Sequence, residues 1–151
     1  MALTDRIQAD LVAAMRARDS EALATLRMVL SGLKTAKVAA GRGDDDLSDA
    51  EAVEVLTREA KRRSEAAEVY DQAGRGELAD KERRELEIIR AYLPAQLDDS
   101  ELAALVDEAI AATGATAASD LGRVMSAVMP KVKGRADGKQ VNSIVRERLG
   151  A

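Results

Sequence analysis

The chain has no phenylalanine and no tryptophan, and its only aromatic side chains are Tyr70 and Tyr92. A core without large rings must be filled by Leu, Val, Ile, Met and Ala. Met and Ala, with the abundant Glu, Lys and Arg, are good helix formers. Gly and Pro are sparse inside the long stretches. The expected fold class is therefore all-α. The same lack of rings argues against an RNA-binding sheet that stacks bases on exposed aromatics.

Apolar spacing divides the chain into seven helices. Thr4 is the expected N-cap of the first, over 5–18, with Ile7, Leu11 and Met15 at four-residue spacing. Asp19 and Ser20 mark a break. The second helix carries Leu23, Leu26, Leu30 and Leu33 on one face and stops near Ala40, ahead of Gly41-Arg42-Gly43. Ser48 with Glu51 forms a capping box for the third, which uses Val53, Leu56, Ala60, Ala67 and Tyr70 and ends at Gly74. The fourth runs through Leu78, Leu86, Ile89 and Leu93 to the Pro94 stop.

Residues 94–99 form the expected boundary between an N-terminal four-helix domain, 1–94, and a C-terminal three-helix bundle, 98–151. Ser100 is the expected cap of the fifth helix, with Leu102, Val106, Ala109 and Ile110 inward and Gly114 at its end. Ser119 or Asp120 caps the sixth, through Leu121, Val124, Met125 and Val128, and Pro130 is expected to kink it or end its regular part. Asp137 and Gln140 read as another capping box, opening the seventh helix at Gly138 with Val141, Ile144, Val145 and Leu149 inward. Met28, Met125 and Met129 read as core filler.

Composition narrows the chemistry. There is no cysteine and no histidine, so disulfides, thiolate chemistry, the commonest general base and the commonest metal ligand are all missing. Ser and Thr have no histidine to activate them, there is no Gly/Ser-rich amidase region, and no Walker A loop. Asp44-Asp45-Asp46 fails as a calcium loop, because the required sixth-position glycine and twelfth-position glutamate are Asp49 and Val55. No catalytic residue, metal or cofactor is assigned. Arg58, Lys61, Arg62 and Arg63 read as a solvated helix face, with Glu54–Arg58 and Glu59–Arg63 at pairing distance along it. No run approaches the ~20 apolar residues of a membrane span, and the first ten residues lack a signal-peptide core. A cytoplasmic protein is expected.

Charge is unevenly placed. The chain carries a net charge of −4, yet 98–121 holds six acids and no base, while 122–151 holds seven bases and two acids. At helical spacing Lys139, Asn142, Ser143 and Arg146 share one face of the last helix. The preceding turn adds Lys131, Lys133 and Arg135. Gly134 and Gly138 would permit close backbone approach, and the N–H groups at the helix start would suit a phosphate. A solvated charged face explains the same pattern, and the residues alone leave both readings open.

Several stretches resemble one family. L-R-M-V-L-S-G-L-K-T-A-K in the second helix, E-A-K-R-R in the third, Y-L-P-A-Q-L at the joint and G-R-V-M-S-A-V-M-P-K-V-K-G-R-A-D-G-K-Q-V-N near the end resemble the YqeY proteins, also called GatB/YqeY domain-containing proteins. The resemblance runs nearly end to end. That family shares its helical tail with the B subunit of the tRNA-dependent amidotransferase, which amidates Glu-tRNA(Gln) or Asp-tRNA(Asn). In the subunit the matching tail carries K-G-x-A and then V-N, and contacts the tRNA body. The matching positions here are Lys133, Gly134, Ala136, Val141 and Asn142.

The resemblance implies tRNA-associated binding and a link to carbon–nitrogen ligases that use glutamine as amido donor. The subunit's catalytic cradle domain has no counterpart in these 151 residues. The nucleic-acid-binding residues expected are Lys131, Lys133, Gly134, Arg135, Lys139, Asn142 and Arg146, with tRNA as the partner. The alternative is a protein-interaction module that docks on an amidotransferase or an aminoacyl-tRNA synthetase without touching RNA.

Overall fold

The computed structural model describes residues 1–150, and its regular structure is entirely helical, as expected. The helices are α1 (Leu3–Ala17), α2 (Ser20–Ala39), α3 (Asp49–Gln72), α4 (Gly76–Arg90), α5 (Asp99–Thr113), α6 (Leu121–Val132) and α7 (Gly138–Leu149), with a single 3₁₀ turn, Ala118–Asp120, before α6. They form two compact units, Met1–Leu93 and Pro94–Ala151. No helix among the described residues is long and apolar enough to cross a membrane.

In the first unit α1 packs on α2 and α3 on α4. Ile7, Leu26, Val29, Leu56 and Ile89 fill the centre, so the middle of the core is aliphatic. The capping box of α3 forms as read. Ser48 Oγ accepts from the Glu51 N–H at 3.2 Å, and the Glu51 carboxylate accepts from the Ser48 N–H at 2.8 Å. At the far end of α4, the Tyr92 hydroxyl donates to Asp10 Oδ2 on α1. Burial, and then that carboxylate, push the Tyr92 pKa up. Arg6 lies 4.9 Å from the Tyr92 ring centroid and donates to the Ala91 carbonyl at 3.1 Å.

Three expectations are corrected in this unit. Thr4 does not cap α1. The helix begins at Leu3, whose N–H donates to Asp49 Oδ1 at 2.9 Å, so the cap comes from the start of α3. On α2 Leu23, Leu26, Leu30 and Leu33 all pack into the core as read, and Thr25 and Val29 complete the buried stripe. Met28 is accordingly not core filler but 54% exposed. Arg63 is not on a solvated face. It is only 4% exposed, donates to Glu59 Oε2 at 2.9 Å and to the Glu59 carbonyl at 3.2 Å, and holds Nε 3.3 Å from Glu85 Oε2. The last contact is an ion pair without hydrogen-bond geometry. Packing of α4 along α3 buries this cation between two carboxylates.

The second unit has a core of Leu102, Val106, Val124, Val128, Val132, Val141 and Val145, all fully buried. Met125 and Met129 pack against it. The cap of α5 is Asp98 rather than Ser100. Asp98 Oδ1 accepts from the Glu101 N–H at 2.7 Å, and Glu101 Oε2 accepts from the Asp98 N–H at 3.0 Å. D-x-x-E therefore makes a full capping box two residues earlier than the serine.

Pro130 neither ends α6 nor leaves it early, because the helix continues to Val132. Pro130 and Ser126, whose carbonyl loses its i+4 donor, both face solvent, so water can take the missing bond. The capping box read for α7 is half formed. Asp137 accepts from the Lys139 N–H at 3.1 Å, but the Gln140 amide turns away to Asp99 Oδ1 at 2.7 Å.

Candidate nucleic-acid interface

The basic turn follows directly from how α6 ends. Val132 is buried, and Lys133 leaves the helix with φ −55° and ψ 125°. Gly134 then adopts φ +75°, the left-handed region where a Cβ is strained. The Arg135 and Ala136 N–H groups donate back to the Val132 carbonyl at 2.8 and 3.1 Å. Gly134 is itself buried, so its contribution is conformational.

The segment before α5 fastens this turn. Gln96 Nε2 donates to the Gly134 carbonyl at 2.9 Å, the Leu97 N–H to the Arg135 carbonyl at 2.8 Å, and Arg135 Nε to the Ala95 carbonyl at 3.3 Å. Sequence reading treated 94–99 as a boundary. It missed that Gln96 and Leu97 buttress the basic turn, and the only available signal was the shared appearance of Y-L-P-A-Q-L and K-G-R-A in one pattern.

Helix α7 buries Val141 and Val145, with Ile144 and Leu149 partly covered. Lys139, Ser143 and Arg146 are exposed and Asn142 is half-buried. Arg146 Nε donates to Asn142 Oδ1 at 2.8 Å. Arginine only donates, so this bond fixes the amide: Oδ1 faces the guanidinium, and Nδ2 is left as a donor.

The unit's cations fall into two groups. Arg123 pairs with Asp120 at 2.8 Å, Arg148 with Asp107 at 2.9 Å, and Lys131 lies 3.8 Å from Glu108. The acidic α5 thus answers part of the basic segment, and the seven bases do not form one field. By contrast, Arg135 and Arg146 bond to neutral oxygens, and the Lys139 ammonium has no hydrogen bond or ion pair among the described residues. Lys133, exposed at the end of α6, belongs to neither group.

One part of the expected geometry changes. The start of α7 does not offer all its N–H groups to an anion, because the Asp137 carboxylate takes that of Lys139. At Gly138 an added Cβ would meet only Met129 Cε at 3.8 Å, so packing within the chain does not demand glycine there. Nearby, the Asp120 carboxyl is held below its usual range by the Thr116 and Ala117 N–H groups, with Arg123 adding to the effect.

Fold and surface together define an all-helical protein of two units, the second displaying a buttressed basic turn and a helix face of cations and amide donors. The chain belongs to the YqeY family: the family model described as Yqey-like protein matches residues 4–149. It is also similar to Altered inheritance of mitochondria protein 41, mitochondrial, of Pyrenophora tritici-repentis (strain Pt-1C-BFP). The two are 31% identical over 154 residues, covering 97% of this chain and 80% of that protein.

Proposed function

We propose that the C-terminal unit binds the sugar–phosphate backbone of tRNA. The observation that carries this reading is that Lys139 and Arg146 share the exposed face of α7 with no carboxylate answering them, while Arg123 and Arg148 of the same unit are paired. Lys133, Arg135, Lys139 and Arg146 contact phosphates. Lys131 joins them by leaving its long contact with Glu108. Asn142 donates through Nδ2, and Gly134 sets the turn.

The resemblance to the tail of the amidotransferase B subunit supports tRNA over other polyanions. Of the positions it matches, Val141 and Gly134 are buried and Ala136 packs against the core, which leaves Lys133 and Asn142 as the side chains proposed to reach RNA. In this reading the chain is a binding module of an amidotransferase system, with the carbon–nitrogen ligase chemistry done elsewhere. Cytoplasmic placement belongs to the same reading.

The test is an anisotropy titration of the full chain with bulk tRNA across a salt series. Five phosphate contacts predict a log K against log salt slope of roughly −3.5 to −4.5. Salt-independent binding would favour docking on an amidotransferase or synthetase instead.

A further inference from the structure

A groove on the first unit has a composition that the RNA reading does not use. It lies between the C-terminal half of α2 and the loop that leads to α3, with a volume of about 560 Å³. That is the size of a small-molecule site, typically ~300–1,000 Å³. The loop is held in place by Lys37, whose Nζ donates to the Asp44 carbonyl at 3.3 Å and to Asp46 Oδ1 at 3.0 Å. Arg42 adds an ion pair to Glu51 at the head of α3. Leu47 is consequently tucked in and buried.

The walls are aliphatic. Leu30, Leu33 and Leu47 form the interior, and Val38, 72% exposed, stands at the mouth. No aromatic ring lines the groove, so it offers nothing for a planar ligand to stack on. The polar groups are few and can be sorted. Lys37 and Asp46 neutralise each other. Lys34, and Thr4, displaced from the capping role, line the groove with no side-chain partner among the described residues. What remains is one unanswered positive charge and one hydroxyl beside an aliphatic trough.

We propose that this groove binds a small amphipath with an aliphatic tail and a single carboxylate head, such as a medium-chain fatty acid. The tail covers Val38 and lies on Leu30, Leu33 and Leu47. The head accepts from the Lys34 ammonium and the Thr4 hydroxyl. A carboxylate has the charge and the acceptor pairs to do both, and a cationic head would meet an uncompensated lysine.

The experiment is a titration of the full chain, labelled on Leu and Val methyls, with sodium decanoate below its micelle concentration. Decanol and decyltrimethylammonium serve as probes of the head group. Decanoate is expected to shift the methyls of Leu30, Leu33, Val38 and Leu47 saturably. Lys34→Met should weaken decanoate about two- to fivefold, the range of one exposed ion pair, and leave decanol unchanged. Val38→Asp, at an exposed position that folding tolerates, should abolish both.

Absence of saturable shifts at these four residues would overturn the site. Decyltrimethylammonium binding as tightly as decanoate, or an unchanged decanoate affinity in Lys34→Met, would overturn the carboxylate assignment. Unchanged binding in Val38→Asp, with helicity retained, would place the ligand elsewhere and overturn the proposal.

Discussion

Gln96 Nε2 donates to the Gly134 carbonyl at 2.9 Å, across 38 residues of sequence. The orientation of the basic turn is therefore set by the segment that opens the second unit. Gln96→Ala is expected to cost about 1 kcal/mol, the usual net worth of one hydrogen bond, in urea unfolding of the full chain. We expect a fragment starting at Pro94 to be soluble and to melt cooperatively. One starting at Asp98, stripped of the Ala95, Gln96 and Leu97 contacts, should melt at lower temperature. Circular dichroism of the two fragments checks this, and equal melting temperatures would deny the buttress.

Arg63 supplies the second prediction. It is buried against Glu59 and Glu85, so Arg63→Ala leaves two carboxylates facing each other without their cation. Removing one partner of a buried ionic cluster costs about 3–5 kcal/mol. Replacing all three residues by apolar ones of similar volume should recover most of that loss. Chemical denaturation of the single and triple variants measures it. A cost under about 1 kcal/mol for Arg63→Ala would show that the cluster is solvated after all.

The α3 capping box predicts a pH dependence. Hydrogen bonding to the Ser48 N–H, and more weakly to the Ser48 hydroxyl and Arg42, lowers the Glu51 pKa below its ordinary 4.5. A depressed carboxylate pKa stabilises the fold above the unfolded value, and that contribution is lost as pH falls through the folded value. Glu51→Ala should therefore lower the melting temperature at pH 7, and the gap from the native chain should be narrower at pH 3. Thermal melts at the two pH values test the sign. A gap undiminished at low pH would assign the effect to packing.

On α7 the amide and the guanidinium act as a pair. Lys133→Ala with Lys139→Ala should flatten the salt slope of tRNA binding by about two contacts' worth, roughly 1.4 to 1.8, and leave folding almost unchanged. Asn142→Ala should weaken binding by about 1 kcal/mol. Arg146→Lys keeps the charge but gives up the planar fork that holds Asn142 Oδ1. It should weaken binding while preserving the slope. Identical slopes for the native chain and the double variant would overturn the phosphate contacts.

Much of the fold was legible in the residues because it rests on local physics. Ser48 and Glu51 cap α3 three residues apart, Gly74 and Gly114 take left-handed φ at helix ends, and Val141 and Val145 bury the face opposite Lys139 and Arg146 because helical spacing requires it. Where two local solutions competed, reading chose less well: Ser100 was taken over Asp98, although D-x-x-E completes a box that serine cannot.

The remainder depended on residues far apart in the chain. The Leu3 N–H finds Asp49 across 46 residues, Arg148 finds Asp107 across 41, and Gln140 finds Asp99 across 41. A count of charges along the sequence places seven bases in one segment, but electrostatic energy depends on distance in space. Packing brings the α5 acids beside Lys131 and Arg148, and seats Arg63 between Glu59 and Glu85. Which cations stay unanswered on the surface is thus a consequence of helix packing, and no spacing rule along the chain contains it.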